Sequence, residues 1–165
     1  MTRLPSPARP VIALLVIAGL AACGGAPDIE SGLDADPWVV RTDAELEAAL
    51  REARAEAGRA GRRVLVDFVA PWCEDCREVI RLSHLPPARG VIEDRYVLVY
   101  VNVGRFDRHE ALLRAHEVDR IATLVVLSPD GDRLARTTLE PVTGDRDRGL
   151  TAEDLAAWLR APSDG

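Results

Sequence analysis

Hydrophobic and polar positions along the chain alternate between two periods, and the switches between them mark the elements. Leu46, Ala49, Leu50 and Ala53 recur at helical spacing after Thr42-Asp43-Ala44-Glu45, which has the Thr-x-x-Glu order of a capping box, and Gly58 to Gly61 closes that helix. Val64 to Ala70 is a short β-branched apolar run of the kind that forms a buried strand. From Trp72 to about Leu82 the pattern returns to a helix, with Val79, Ile80 and Leu82 facing inward, and Leu85-Pro86-Pro87 breaks it. Val91 to Asp94 predicts one more helical turn, and Tyr96 to Val103 a second strand. A helix is expected from Phe106-Asp107 through His109, Leu112, Leu113 and His116, then a strand over Ile121 to Leu127. Ser128-Pro129-Asp130-Gly131-Asp132 is a turn signal that sends Arg133 to Leu139 back as an antiparallel strand. After a charged loop, Glu140 to Gly149, Thr151 opens a last helix carrying Leu155, Trp158 and Leu159. Trp38-Val39-Val40 reads as a short edge strand ahead of all of these. Strands alternating with helices and ending in a hairpin predict an α/β domain with a central mixed sheet and helices on both faces.

The first 37 residues follow neither period. Arg3 and Arg9 precede an apolar run, Val11 to Ala22, that is shorter than the roughly 20 residues of a membrane-spanning helix. Leu20-Ala21-Ala22-Cys23-Gly24 ends it. This resembles a bacterial lipoprotein signal, which implies cleavage after residue 22 and a lipid on Cys23; an ordinary secretory signal peptide and a membrane anchor are the alternatives. Gly24 rather than Asp after the cysteine resembles the sorting signal for the outer membrane. Residues 23–37, rich in Gly, Asp, Ala and Pro, read as a flexible tether, leaving 38–165 as one domain.

Charge narrows the partners. All 21 basic residues are arginine, and with Arg3 and Arg9 removed 19 basic residues face 27 acidic ones, a net charge of −8. That balance argues against nucleic acid as a partner. The three cysteines divide into Cys23 and a pair, Cys73 and Cys76.

The pair carries the candidate chemistry. Cys73-Glu74-Asp75-Cys76 directly follows the strand, so both sulfurs fall at a helix start, where unpaired N–H groups and the helix dipole favour a thiolate. A structural disulfide or half of a zinc site are the other readings. A three-residue spacing closes too small a loop to remove much chain entropy, and no second Cys-x-x-Cys supplies a zinc site's remaining ligands. His109 and His116, seven apart, stand two turns apart on the expected helix, too far for an i, i+4 metal pair, and His84 ends the preceding helix, so all three read as surface or helix-end residues. No metal ligand is assigned.

Val66-Asp67-Phe68-Val69-Ala70-Pro71-Trp72-Cys73-Glu74-Asp75-Cys76 resembles the active-site segment of the thioredoxin superfamily, and the later Val101-Asn102-Val103-Gly104-Arg105-Phe106-Asp107 resembles an exported bacterial subgroup of it. The resemblance spans roughly Val39 to Arg160 and implies a thioredoxin-like fold. It implies Cys73 as the nucleophile and Cys76 as the resolving cysteine, the two joined as a disulfide in the oxidised state. It also implies Asp67 as the buried acid that handles the proton of Cys76, and Trp72 with Ile121, Ala122 and Thr123 as the partner-binding surface. For Asp67 the plainer alternative is a solvent-facing strand-end aspartate, and for Trp72 an ordinary aromatic.

Two departures from the family pattern stand out. Ala122 occupies the position of the usual cis-proline, and because a non-proline cis bond costs about 3 kcal/mol the Ile121–Ala122 bond is expected to be trans. Glu74 and Asp75 set negative charge beside Cys73, which opposes its thiolate and makes the dithiol the stronger reductant; alternatively they only cap the helix. The resulting expectation is a monomeric, lipid-anchored, periplasm-facing thiol–disulfide oxidoreductase that needs no cofactor. Its partners are protein disulfides and an upstream thiol reductant. A copper(I)-handling module, which two thiolates would suit, and a redox-inactive adaptor are the competing readings.

Overall fold

The computed structural model describes residues 31–138 and 149–164. The signal segment, Cys23, Leu139 and most of the loop at Glu140 to Gly149 lie outside the described residues. The elements run α1 (Asp43–Ala60), β1 (Arg63–Val69), α2 (Glu74–Ser83), α3 (Ala88–Arg95), β2 (Tyr96–Asn102), α4 (Glu110–Ala115), β3 (Thr123–Leu127), β4 (Arg133–Thr138) and α5 (Ala152–Arg160). The four strands form one sheet in the order β2-β1-β3-β4. β1 and β2 are parallel, and β3 is antiparallel to both β1 and β4, so the sheet is mixed as the element order predicts.

Alternation along each strand divides the core in two. Leu65 and Val69 of β1, Leu98 and Tyr100 of β2 and Leu124 and Val126 of β3 face one side, where α2, α3 and α5 cover them. Val64, Val66 and Phe68, with Val97, Val99 and Val101, face the other side under α1 and α4. β1 therefore lies in the middle of the sheet, buried on both faces from Val64 on, which explains why its sequence is apolar on both faces, interrupted only by Asp67, rather than alternating.

The helix boundaries follow local chemistry. Thr42 caps α1 through a complete box: its side chain accepts the Glu45 N–H while the Glu45 carboxylate accepts the Thr42 N–H. Gly61, at φ +65°, ends α1 in the left-handed conformation that glycine adopts at least cost. Thr151 and Asp154 repeat the box at α5.

Four expectations are corrected. Trp38 to Val40 forms no strand; the Trp38 N–H goes to Asp36 and its carbonyl accepts from the Asn102 side chain, so the segment is tied as a turn. The expected tether is packed from residue 31: Leu33 and Ala35 are buried in the α2-side core and Gly32 N–H donates to Leu98 O at 2.8 Å. The turn expected at Val91 to Asp94 is a two-turn helix, α3. The helix expected from Phe106 begins only at Glu110, because Phe106 and His109 both take positive φ (63° and 56°), which a continuing α-helix excludes.

Candidate active site

β1 delivers the cysteines. Val69 and Ala70 are fully buried, the Cys73 N–H bonds back to Ala70 O at 3.0 Å, and this turn places Cys73 at the N-cap of α2. Cys73 and Cys76 are joined as a disulfide, with Cα atoms 5.3 Å apart. The Cys73 sulfur accepts the backbone N–H of Cys76 at 3.1 Å. An amide donor and the positive end of a helix thus converge on the sulfur that would carry charge. Cys76 is completely buried and its sulfur lies 4.0 Å from Phe68 O. Cys73 is only 5% exposed, so it is the more accessible of the two but much less open than an exposed nucleophile.

The two acids of the motif turn away. The side chain of Glu74 is 90% exposed and faces Arg77, whose guanidinium lies 3.9 Å away and also donates to Pro71 O. Asp75 is exposed too. Their influence on Cys73 is therefore screened by water.

Asp67 stands between Leu65 and Val69 on the face of the sheet that α2 covers. It is 1% exposed, on the α2 side of β1, and among the described residues its Oδ1 has no hydrogen-bond partner. Loss of hydration pushes its carboxyl up from 3.8 to about 8. Beside it in the parallel register stands Tyr100, also buried, whose hydroxyl likewise lacks a partner among the described residues. Burial, and next the Asp67 charge, push the Tyr100 phenol up, so it stays neutral. The sequence reading passed over Tyr100. The signal for it was the period-two alternation of β2, which sets Tyr96, Leu98 and Tyr100 on one face.

The expected partner-binding residues divide. Trp72 is 49% exposed, and its indole N–H donates to Gly104 O at 2.7 Å while its ring stands 6.5 Å from that of Phe106. Ala122 is buried in the same core cluster as both cysteines, with Ile121 half-buried at its margin. The Ile121–Ala122 bond is cis, against the expectation of trans. Thr123, the next residue, is held on both sides: it pairs with Phe68 of β1 and Thr138 of β4, and its hydroxyl donates to Arg120 O at 2.8 Å. Alanine thus takes the cis bond that the family pattern gives to proline. Thr123 is fully buried, so its side chain is not available to a partner.

The histidines do not share a helix face. His109 and His116 flank α4 rather than lying on it. His109 is buried, with Nδ1 2.7 Å from Asp43 Oδ1. His116 meets Phe68 in a tilted ring contact, and burial pulls its pKa down. His84 is the C-cap of α2. Among the described residues no three His, Cys, Asp or Glu side chains gather to hold a metal ion, so the copper(I) reading has only the two sulfurs behind it. No helix among the described residues is long and apolar enough to cross a membrane.

This constellation matches known proteins at the level of fold. The chain is similar to a disulphide isomerase from Xylella fastidiosa, at 24% identity and a TM-score of 0.63 over 75% of this chain and 94% of that one. It is similar to the reduced DsbD C-terminal domain of Neisseria meningitidis (23% identity, TM-score 0.54, 71% and 93% covered). It is also similar to a thioredoxin from Thermus thermophilus (25% identity, TM-score 0.51, 66% and 79% covered). No curated protein sequence matches it. The sequence model of the Thioredoxin-like family matches residues 45–129, more than half the chain and the part that holds β1, both cysteines, Trp72 and Ala122. The chain belongs to the thioredoxin-like family.

Proposed function

We propose that the protein is a thiol–disulfide oxidoreductase of the bacterial cell envelope that works as a reductant. The observation that carries the exchange chemistry is the Cys73 sulfur at the start of α2, accepting the Cys76 N–H, on the same face of the sheet as the buried carboxyl of Asp67; the exposed Glu74 and Asp75 beside the pair, attenuated by solvent, support the reducing direction. In the reduced protein the Cys73 thiolate attacks one sulfur of a partner's disulfide. A Cys73–partner bond forms, and the partner's other sulfur leaves as a thiolate. Cys76 then gives its proton to Asp67 and attacks Cys73. The mixed disulfide breaks, the partner is left as a dithiol, and Cys73–Cys76 is oxidised. An upstream thiol reductant returns the two electrons. A carboxyl pushed up to about 8 suits this transfer, because it lies close to the ordinary thiol value of about 8.5. The exposed ring of Trp72 and the half-buried Ile121 form the surface the partner meets, and the Xylella neighbour, named a disulphide isomerase, supports the substrate class. The signal-like first 22 residues and Cys23 support a lipid-anchored, periplasm-facing protein, and Gly24 supports the outer membrane.

The test is Cys76→Ser in the full chain. It is expected to accumulate mixed disulfides through Cys73 that a thiol reagent releases, while Cys73→Ser accumulates none. An adaptor would show no such adducts in either variant.

A further inference from the structure

The mechanism above uses nothing from Val103 to Asp107, yet this segment is one of the two motifs the sequence singles out. It is pinned at its base, where Val103 N–H donates to Val69 O at 2.9 Å and Phe106 N–H closes a turn onto Val103 O at 2.9 Å. Two side chains then hold its backbone amides. The buried Asn102 accepts the Gly104 N–H at 3.0 Å, and Asp107 Oδ1 accepts the Arg105 N–H at 2.8 Å. The Arg105 N–H and the Gly104 C=O belong to one rigid, planar peptide unit and point in opposite directions. Fixing the N–H on Asp107 therefore fixes the direction of the carbonyl. That carbonyl is the acceptor of the Trp72 indole N–H at 2.7 Å. Donation at one end of a peptide unit also polarises the other, strengthening the carbonyl as an acceptor. Gly104 is held at φ +61°, and a Cβ there would collide with Asp107 Oδ1, so the carboxylate sits in space that only glycine leaves open.

We propose that Asp107 is a positioning residue for Trp72: by orienting the Gly104–Arg105 peptide it locks the indole in place beside the disulfide, and so sets how well a protein partner is held. The inference rests on the proposed disulfide exchange for its consequence, but not for its geometry. Asp107 is solvent-exposed, so its truncation leaves both core clusters intact.

The test compares Asp107→Ala and Asp107→Asn with the unaltered full chain. The first readout is hydrogen exchange of the Trp72 indole N–H by NMR with 15N-labelled tryptophan, the signal assigned by Trp72→Phe. Asp107→Ala is expected to speed that exchange about tenfold and Asp107→Asn, which keeps an acceptor oxygen, to restore protection. The second readout is disulfide reduction. With insulin as the protein substrate Asp107→Ala is expected to raise KM about fivefold, the worth of one hydrogen bond, and to leave the rate with a small aromatic disulfide unchanged. Trp72 protection that is the same in Asp107→Ala as in the unaltered chain overturns the proposal. So does an Asp107→Asn protein as unprotected as Asp107→Ala, since charge rather than acceptor geometry would then be at work. Should the unaltered chain reduce neither disulfide, the oxidoreductase reading fails, and the indole exchange still decides the role of Asp107.

Discussion

Asp67→Asn gives the most direct test of the site's electrostatics. In the unfolded chain the Asp67 carboxyl titrates near 3.8, and in the folded protein near 8. The folded state therefore holds this proton more tightly, so its contribution to stability is full below the unfolded value and is lost as pH rises through the folded one. Each pH unit inside that window costs about 1.4 kcal/mol, so at neutral pH the buried carboxyl destabilises the fold by about 4 kcal/mol relative to acid conditions, as an order of magnitude. Asparagine is nearly isosteric and does not titrate. It leaves a buried amide whose cost does not vary with pH, so the slope is the diagnostic rather than the offset. The assay is urea unfolding of both proteins, disulfide intact, at a series of pH values from about 4 to about 9. The difference in unfolding free energy is expected to move in favour of Asp67→Asn by about 1.4 kcal/mol per unit between about 4 and 8 and to level off above. Parallel curves across the whole range would refute the argument, because Asp67 would then have to keep much the same pKa folded and unfolded.

Two further substitutions test how the site is supported. Thr42→Ala removes the α1 capping box and is expected to cost about 1 kcal/mol in thermal unfolding, with Thr42→Ser close to the unaltered protein. Gly104→Ala forces a Cβ onto left-handed backbone and against Asp107; a loss of about 1 to 2 kcal/mol in urea unfolding is expected, and an unchanged midpoint would mean that the loop rearranges freely.

What could be read from the sequence was whatever local chemistry decides. The Ser128–Asp132 turn, the Thr42 and Thr151 caps and the β1 run into Cys73 each carry their signal within a few residues, and each forms where its pattern predicts. The burial of Asp67 was implied by the family resemblance, while the residues alone left a solvent-facing aspartate open; the structure buries it. What could not be read depends on partners far along the chain. Trp38 to Val40 has the composition of a strand, but its polar groups are claimed by Asp36 and by Asn102, 64 residues away in sequence. Leu33 and Ala35 sit in a stretch of linker composition and are buried only because β2 and the α2-side helices leave room for them. The cis bond before Ala122 has no signature in an alanine. The 103–107 loop was visible as a motif, but its work depends on the direction of one carbonyl, which no residue type encodes.

The edges of the sheet bear on how the molecule keeps to itself. β2 is an outer strand and is buried along its whole length, a composition that on an open edge would invite another chain to pair with it. Here two of its carbonyls are already occupied, Leu98 O by the Gly32 N–H and Tyr100 O by the Arg41 guanidinium. At the far edge, the Arg136 amide of β4 is taken by the Asp164 side chain, and arginines stand at 133 and 136. The residues just outside the sheet thus act as stoppers against strand addition. Strand addition at either margin is discouraged, and the large apolar side chains exposed among the described residues, Val40, Trp72, Leu85 and Leu134, stand singly on different segments.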